Sequence, residues 1–232
     1  MTDRKNALTF AGIVRMLFVA GIACFLPLLV SGRWDWWEGW VFAFLFMGNF
    51  IVSRVLLFRS NPDLAAERER SMKKEDTKSW DKVLAPLMAL GGALISLTAG
   101  LDVRFGGSPV FSFPLQIVAL LLILAGLLLG TRALLANRFF SGVVRIQSDR
   151  GHTVESGGPY RHVRHPGYAA ALLSFIAIPV FLNSLWALLP AALMVVISIL
   201  RTSLEDRTLQ EELEGYREYA QRVRYRLVPG VW

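Results

Sequence analysis

The chain has one cysteine, Cys24, and three histidines among its 232 residues. A single thiol excludes an intramolecular disulfide and any CxxC or cysteine-rich metal site, so Cys24, inside an apolar run, reads as a small buried hydrophobe. Charge is scarce too: 19% of residues are charged against 54% hydrophobic, and the charges cluster between long uncharged stretches. That distribution excludes an ordinary soluble enzyme with a solvated shell. The charge-free stretches run Met16–Gly32, Gly39–Ser53, Val83–Leu101, Phe105–Thr131 and Pro166–Leu200. About 20 apolar residues cross a bilayer, so the chain reads as an all-α integral membrane protein, a polytopic helical bundle. The first run lacks a small-residue cleavage pattern and reads as a retained membrane helix rather than a secretion signal.

The net charge of +7 invites a nucleic-acid reading, which disappears once the basic residues are sorted by loop. Arg4 and Lys5 precede the first helix. Arg59, Arg68, Arg70, Lys73, Lys74, Lys78 and Lys82 follow the second, and Arg138, Arg145, Arg150, Arg161 and Arg164 follow the fourth. The remaining C-terminal arginines begin at Arg201. All of these fall on one face, with only Arg33 and Arg104 on the other, so the positive-inside rule places both termini and the two long loops in the cytoplasm. The partner that this charge implies is the lipid bilayer and its anionic headgroups, with no nucleic acid. Arg15, Arg54 and Arg132 sit at helix ends and read as snorkelling side chains. Trp34, Trp36, Trp37 and Trp40 crowd the first outer connection as an interfacial belt. Residues 59–81 mix both charge signs without apolar periodicity and read as a solvated juxtamembrane segment. Short loops fit a prokaryotic inner membrane.

The stretch Pro166–Leu200 would run roughly 50 Å as one helix, against a hydrocarbon core of about 30 Å. Pro179 removes a backbone donor in its middle, and Asn183-Ser184 supplies turn chemistry, so two short arms joined at the outer side are predicted. The architecture is then about six membrane segments including this short C-terminal helical hairpin, followed by a cytoplasmic amphipathic helix from Arg201 to Arg226. Residues 1–136 form an N-terminal four-helix transmembrane region, and residues 137–232 a C-terminal region of loop, hairpin and helix.

The hairpin also returns Arg201 to the face that carries His165. Between Gly157 and Tyr168 the sequence holds Tyr160, Arg161, His162, Arg164, His165 and Tyr168 at the mouth of a helix opened by Pro166, where free N–H groups favour an anionic ligand group. His162 and His165 lack a third ligand for zinc, and no metal is assigned. Arg201, Glu205 and Glu212 share one helix face. From spacing alone they also fit exposed interfacial ion pairs.

The run Gly158-Pro159-Tyr160-Arg161-xx-Arg164-His165-Pro166-x-Tyr168, the broken hairpin, Arg201-xxx-Glu205-Asp206-Arg207-x-Leu209 and Gly215-Tyr216-xx-Tyr219 together resemble the isoprenylcysteine carboxyl methyltransferase family and its phospholipid methyltransferase relatives, over roughly residues 137–232. The resemblance implies S-adenosyl-L-methionine held between the Arg-His-Pro-x-Tyr loop and the C-terminal helix. It places Tyr160, Arg161, His162, Arg164, His165, Pro166, Tyr168 and Glu205 at the cofactor. It makes Arg201 and Glu205 the catalytic pair, Glu205 facing the cofactor's ammonium or ribose hydroxyls and Arg201 orienting an anionic acceptor or the cofactor carboxylate. Family members usually carry a second glutamate where this chain has Asp206. Leu213-Glu214-Gly215-Tyr216 also departs from the eukaryotic enzymes and points to a prokaryotic-type member.

The implied function is S-adenosylmethionine-dependent methyl transfer to a lipophilic or small acceptor, with carboxylate O-methylation first, followed by N-methylation of a phospholipid amine and S-methylation of a small thiol. A carboxylate needs no general base; an amine or thiol would turn to Glu205 or His165. The rival of another class is a non-catalytic membrane binding or transport protein, for which Asn49, Gln116 and Asn183 are the strong amide candidates in the apolar spans.

Overall fold

The computed structural model describes residues 10–71, 74–107 and 110–232. Arg4, Lys5 and Lys73, used above in the count of basic residues, lie outside them. In chain order the helices are α1 (Phe10–Ser31), α2 (Trp37–Ser60), α3 (Pro62–Arg70), α4 (Asp81–Arg104), α5 (Phe113–Ala136), α6 (Pro166–Phe181), α7 (Leu188–Glu212) and α8 (Tyr216–Arg222), and no strand occurs among the described residues. Helices α1, α2, α4, α5 and α7 are long and apolar enough to cross a membrane, and α6 is a shorter apolar helix of 16 residues. The chain is a polytopic helical membrane protein of five long spans and one short arm.

Helix contacts inside such a bundle depend on close backbone approach, since lipid tails compete for apolar side chains. Helix α5 lies against α6 at Gly126, where an added Cβ would sit 2.8 Å from both the Ala170 carbonyl oxygen and Ser174 Oγ. The core between the helices is filled by Leu28, Phe42, Ile95, Ile123, Phe181 and Met194, among others, while the outer faces expose Phe18, Phe44, Leu121, Leu193 and Val196 to lipid. The three spanning amides are used as ties between elements. Gln116 Nε2 reaches Glu38 at 3.3 Å, the Thr131 hydroxyl donates to Asn49 at 3.2 Å, and Asn183 Oδ1 accepts from Val110 and Phe111 N–H at 2.9 and 2.8 Å.

The hairpin forms, and its turn falls at the expected Asn183-Ser184 pair. Pro179 stays inside α6, and the chain reverses at Asn183, which adopts φ 57°. Ser184 then donates to Asp102 at 2.6 Å and accepts the Ala187 N–H. The second arm and the expected separate helix are continuous, because nothing in residues 188–212 interrupts α7. The break comes at Gly215, whose φ of 79° is open to glycine at little steric cost, and α8 follows.

Two sequence expectations change. Residues 59–81 are not simply solvated: Asn61 caps α3 by accepting the Leu64 N–H, and Leu64, Glu67, Ser71 and Asp81 are buried. Trp36 is buried, whereas Trp34 and Trp37 are exposed as a belt requires. Arg54 is half-buried, and its Nη1 is enclosed by protein without a hydrogen-bond partner.

Candidate functional site

The mouth of α6 is fixed from behind by the C-terminal tail. Arg164 and His165 donate their backbone N–H groups to the carbonyls of Tyr225 and Arg226, both at 2.9 Å. Arg164 Nη1 donates to the carbonyls of Val223 and Arg224 at 2.8 and 2.9 Å. The remaining edge of that guanidinium forms a fork on Asp206, Nε to Oδ1 at 2.7 Å and Nη2 to Oδ2 at 3.0 Å. Asp206 is fully buried and also accepts from Arg226 Nε at 2.8 Å, Gln210 Nε2 at 2.8 Å and the Tyr216 hydroxyl at 3.1 Å, with His165 Nε2 at 3.2 Å. One carboxylate thus joins the corner before α6, the body of α7, α8 and the tail. A buried charge survives only when so paired.

One turn nearer the membrane, Tyr168 Oη donates to Glu205 Oε2 at 2.6 Å. Arg201 lies with its guanidinium 5.5 Å from the centre of the Tyr168 ring and directs Nε and Nη2 onto Asp81 at 2.6 and 3.0 Å, Nη2 also meeting the Gly142 carbonyl at 3.0 Å. Asp81, the first residue of α4, accepts the Val144 N–H at 2.6 Å as well. Glu212 pairs with Lys78 at 2.6 Å and takes no part in the cluster.

The facing wall is the connection from α5 to α6. Gln147 Nε2 donates to the Phe139 carbonyl at 2.8 Å, and the His152 ring stacks on Phe139 with centroids 4.5 Å apart. Arg145, buried, is held by Glu67, Asp76 and Asp149 at 2.8–2.9 Å, which clamps this connection onto α3 and the segment after it. Between the wall and the helix ends lies a cavity of about 220 Å³. Its lining includes Tyr160, Arg164, His165, Tyr168, Arg201 and Glu205, all anticipated from sequence. Pro166 is buried in the first turn of α6 and is not part of the lining, while Arg161 and His162 are exposed. The Gly158–Arg161 turn is a 3-10 turn that buries Tyr160 and carries the next two residues outward. Its backbone is also engaged, Tyr160 O by the Tyr219 hydroxyl at 2.7 Å and Pro159 O by the His162 N–H at 3.1 Å.

Sequence reasoning missed Asp81, Gln147, His152 and Glu155, and underrated Asp206. Asp81 opens an apolar run and looked like one more boundary charge. The wall residues stand in an irregular connection with no periodicity, so no pattern marked them.

Burial pushes the His152 imidazole down to about 4, with help from the charges of Arg145 and Arg150. Its Nδ1 accepts the Gln147 N–H at 3.3 Å, which leaves the proton of the neutral ring on Nε2. Between about 6.5 and about 4 the unfolded chain binds a proton that the folded one does not, so His152 lowers stability as pH falls through that window. The expected loss is on the order of 2 kcal/mol after discounting for partial exposure. Thermal unfolding in detergent at pH 7 and pH 5 should show a larger drop for the wild type than for His152→Asn. Equal drops would remove His152 as the cause.

The donor set suits the parts of S-adenosylmethionine: aromatic faces at Phe139, Phe140 and Tyr160 for a purine, and carboxylates at Glu155 and Glu205 for hydroxyls and an ammonium. No curated protein matches the chain in sequence comparison. Residues 115–214, from α5 through the end of α7 and so including most of the cavity wall, match the phospholipid methyltransferase family model. The match begins earlier than the expected 137 and stops before α8. Over this stretch the chain is similar to the phospholipid methyltransferases, the family of isoprenylcysteine-carboxyl-methyltransferase-like membrane enzymes.

Proposed function

We propose that the chain is an S-adenosylmethionine-dependent methyltransferase that acts at the cytoplasmic surface of a membrane on the amine of a phospholipid. The observation that carries this reading is Glu205, a carboxylate at the cavity that accepts from the Tyr168 hydroxyl and makes no ion pair among the described residues. Asp206 and Asp81, by contrast, are neutralised by arginines. A carboxylate that makes no ion pair keeps an edge for a cation, and an ammonium is the cation that both a cofactor and an amine headgroup offer.

S-adenosylmethionine supplies an electrophilic methyl group on a sulfonium and leaves as S-adenosylhomocysteine. The residues of the chain position and deprotonate. Tyr168 orients the Glu205 carboxylate through its 2.6 Å hydrogen bond. Glu205 takes one proton from the headgroup ammonium, which frees the nitrogen lone pair to form the new N–C bond as the C–S bond breaks. His152 holds Gln147 through its only basic nitrogen and does not compete for that role, and His165 is tied through Nε2 to Asp206 and Tyr216. The apolar side of the cavity, Met88 and Ala171, keeps water from the reacting centre.

Carboxylate O-methylation stays as the second reading on one observation: Arg201 Nη1 makes no hydrogen bond among the described residues, while its other two nitrogens are held by Asp81. A single N–H can steer a carboxylate but cannot grip it as a fork does. Incubating membranes with methyl-labelled cofactor and extracting lipids, proteins and small thiols separately decides the acceptor. Label in the phospholipid fraction that survives mild base is the expected result. Base-labile label in protein or prenyl fractions would replace the amine with a carboxylate.

A further inference from the structure

Helix α7 sets an arginine four residues before a glutamate twice, Arg201 before Glu205 and Arg207 before Glu211. That spacing brings the two side chains together on one helix face. The second pair forms, Arg207 Nε meeting Glu211 at 2.9 Å, although both side chains are exposed and gain little from it. The first pair does not form, although it stands at the cavity, where opposite charges attract more strongly than in open water. Both of its members border Tyr168: the Arg201 guanidinium lies 5.5 Å from the ring centre, and the ring hydroxyl donates to Glu205. Spacing alone would join them, so another group must hold Arg201 away.

That group is Asp81. It takes Arg201 Nε and Nη2 at 2.6 and 3.0 Å, and the Gly142 carbonyl accepts from Nη2 on the same side. Asp81 cannot follow the guanidinium back toward Glu205. It is fully buried at the first position of α4, where free N–H groups favour a carboxylate, and its Oδ2 accepts the Val144 N–H at 2.6 Å. The Val144 carbonyl in turn accepts the Lys78 N–H at 3.0 Å, so the chain just before α4 is sewn to the cavity wall. This restraint comes from outside residues 115–214, the stretch that matches the family model.

We infer that Asp81 is a positioning residue, which holds the Arg201 guanidinium off Glu205 and so leaves the Glu205 carboxylate to the ammonium of a ligand. Without its charge, Arg201 turns to the carboxylate one helical turn away, and a charge-assisted pair occupies the edge that an ammonium needs. Glu212, further along that face, is already held by Lys78. The inference rests on the proposed function for its catalytic meaning.

Asp81→Asn, which keeps the shape of the side chain and removes its charge, tests this by two measurements. The first, thermal unfolding in detergent, needs no turnover. In the wild-type background Glu205→Gln breaks no ion pair and should move the melting temperature by less than about 2 °C. In the Asp81→Asn background Glu205 is the countercharge of Arg201, so the same change should lower it by on the order of 5 °C. Equal shifts in the two backgrounds overturn the inference. Loss of the fold in Asp81→Asn overturns it as well, because Arg201 has then found no substitute carboxylate. The second measurement is methyl transfer to phospholipid, whose kcat at saturating cofactor should fall about tenfold or more in Asp81→Asn. Adding Arg201→Gln frees Glu205 again, and the double variant should turn over about threefold faster than Asp81→Asn or better. A double variant no faster than Asp81→Asn overturns the inference, since a brace cut at one end is not mended by cutting the other. Absence of methyl transfer to phospholipid in the wild type would sink the amine reading of the site, and the melting comparison would still decide what Asp81 does.

Discussion

Asp206→Ala should be the most destabilising single substitution in the C-terminal half of the chain. The side chain is fully buried and neutralises Arg164 and Arg226 while accepting from Tyr216 and Gln210, so its loss strands cations inside the protein. Breaking a buried pair from one side costs about 3–5 kcal/mol, which in a domain of this size lowers the melting temperature on the order of 10 °C. Asp206→Asn keeps the shape and two acceptor directions but no charge, and should cost less. The damage has a defined place. Arg164 holds the carbonyls of Val223 and Arg224 only while Asp206 holds Arg164, so the tail after α8 should loosen first. Limited trypsin digestion should then cut faster at Arg222, Arg224 and Arg226 in both variants, before the membrane helices unfold. A melting shift below about 2 °C, with unchanged tryptic cleavage, would show that the hub does not hold the tail.

The extent to which this centre could be read in advance depends on what kind of interaction builds each part. Hydrophobic runs report membrane helices because a lipid solvent demands them, so the spans and the hairpin were visible in the spacing of charges. Proline reports geometry less directly than turn chemistry: α6 runs through Pro179, and the chain reverses at the Asn183-Ser184 pair that the sequence marks, with Asn183 in the left-handed region. Polar residues adjoining a recognisable motif, such as Tyr168 and Glu205, were placed because the hairpin brings their segments to one face. Asp81 and Arg145 could not be placed, since Asp81 meets Val144 and Arg201, and Arg145 meets Glu67 and Asp76, more than sixty residues away. Arg201 shows the same gap. Its position at the cavity was legible, but the Asp81 carboxylate that occupies most of its fork and ties α7 to α4 was not.

Two substitutions separate the binding and chemical roles proposed for Glu205. Glu205→Ala removes the acceptor for Tyr168 Oη and leaves that hydroxyl facing the cavity, so the ordered polar side of the site is lost. S-adenosylhomocysteine, measured by calorimetry on purified protein, should bind about tenfold more weakly or worse. Glu205→Gln is subtler. Its amide oxygen can still accept from Tyr168, so the product should bind within about threefold of wild type. What the amide cannot do is take a proton from an ammonium, and methyl transfer to phospholipid should fall about 10²–10⁴-fold, the range of a positioned general base. The loss should appear in kcat at saturating cofactor, with little change in the cofactor's KM. If Glu205→Gln instead loses product binding as severely as Glu205→Ala while its saturated turnover stays near that of wild type, Glu205 anchors the cofactor and takes no proton. The amine reading would then lose its base, and the carboxylate acceptor, which needs none, would take its place.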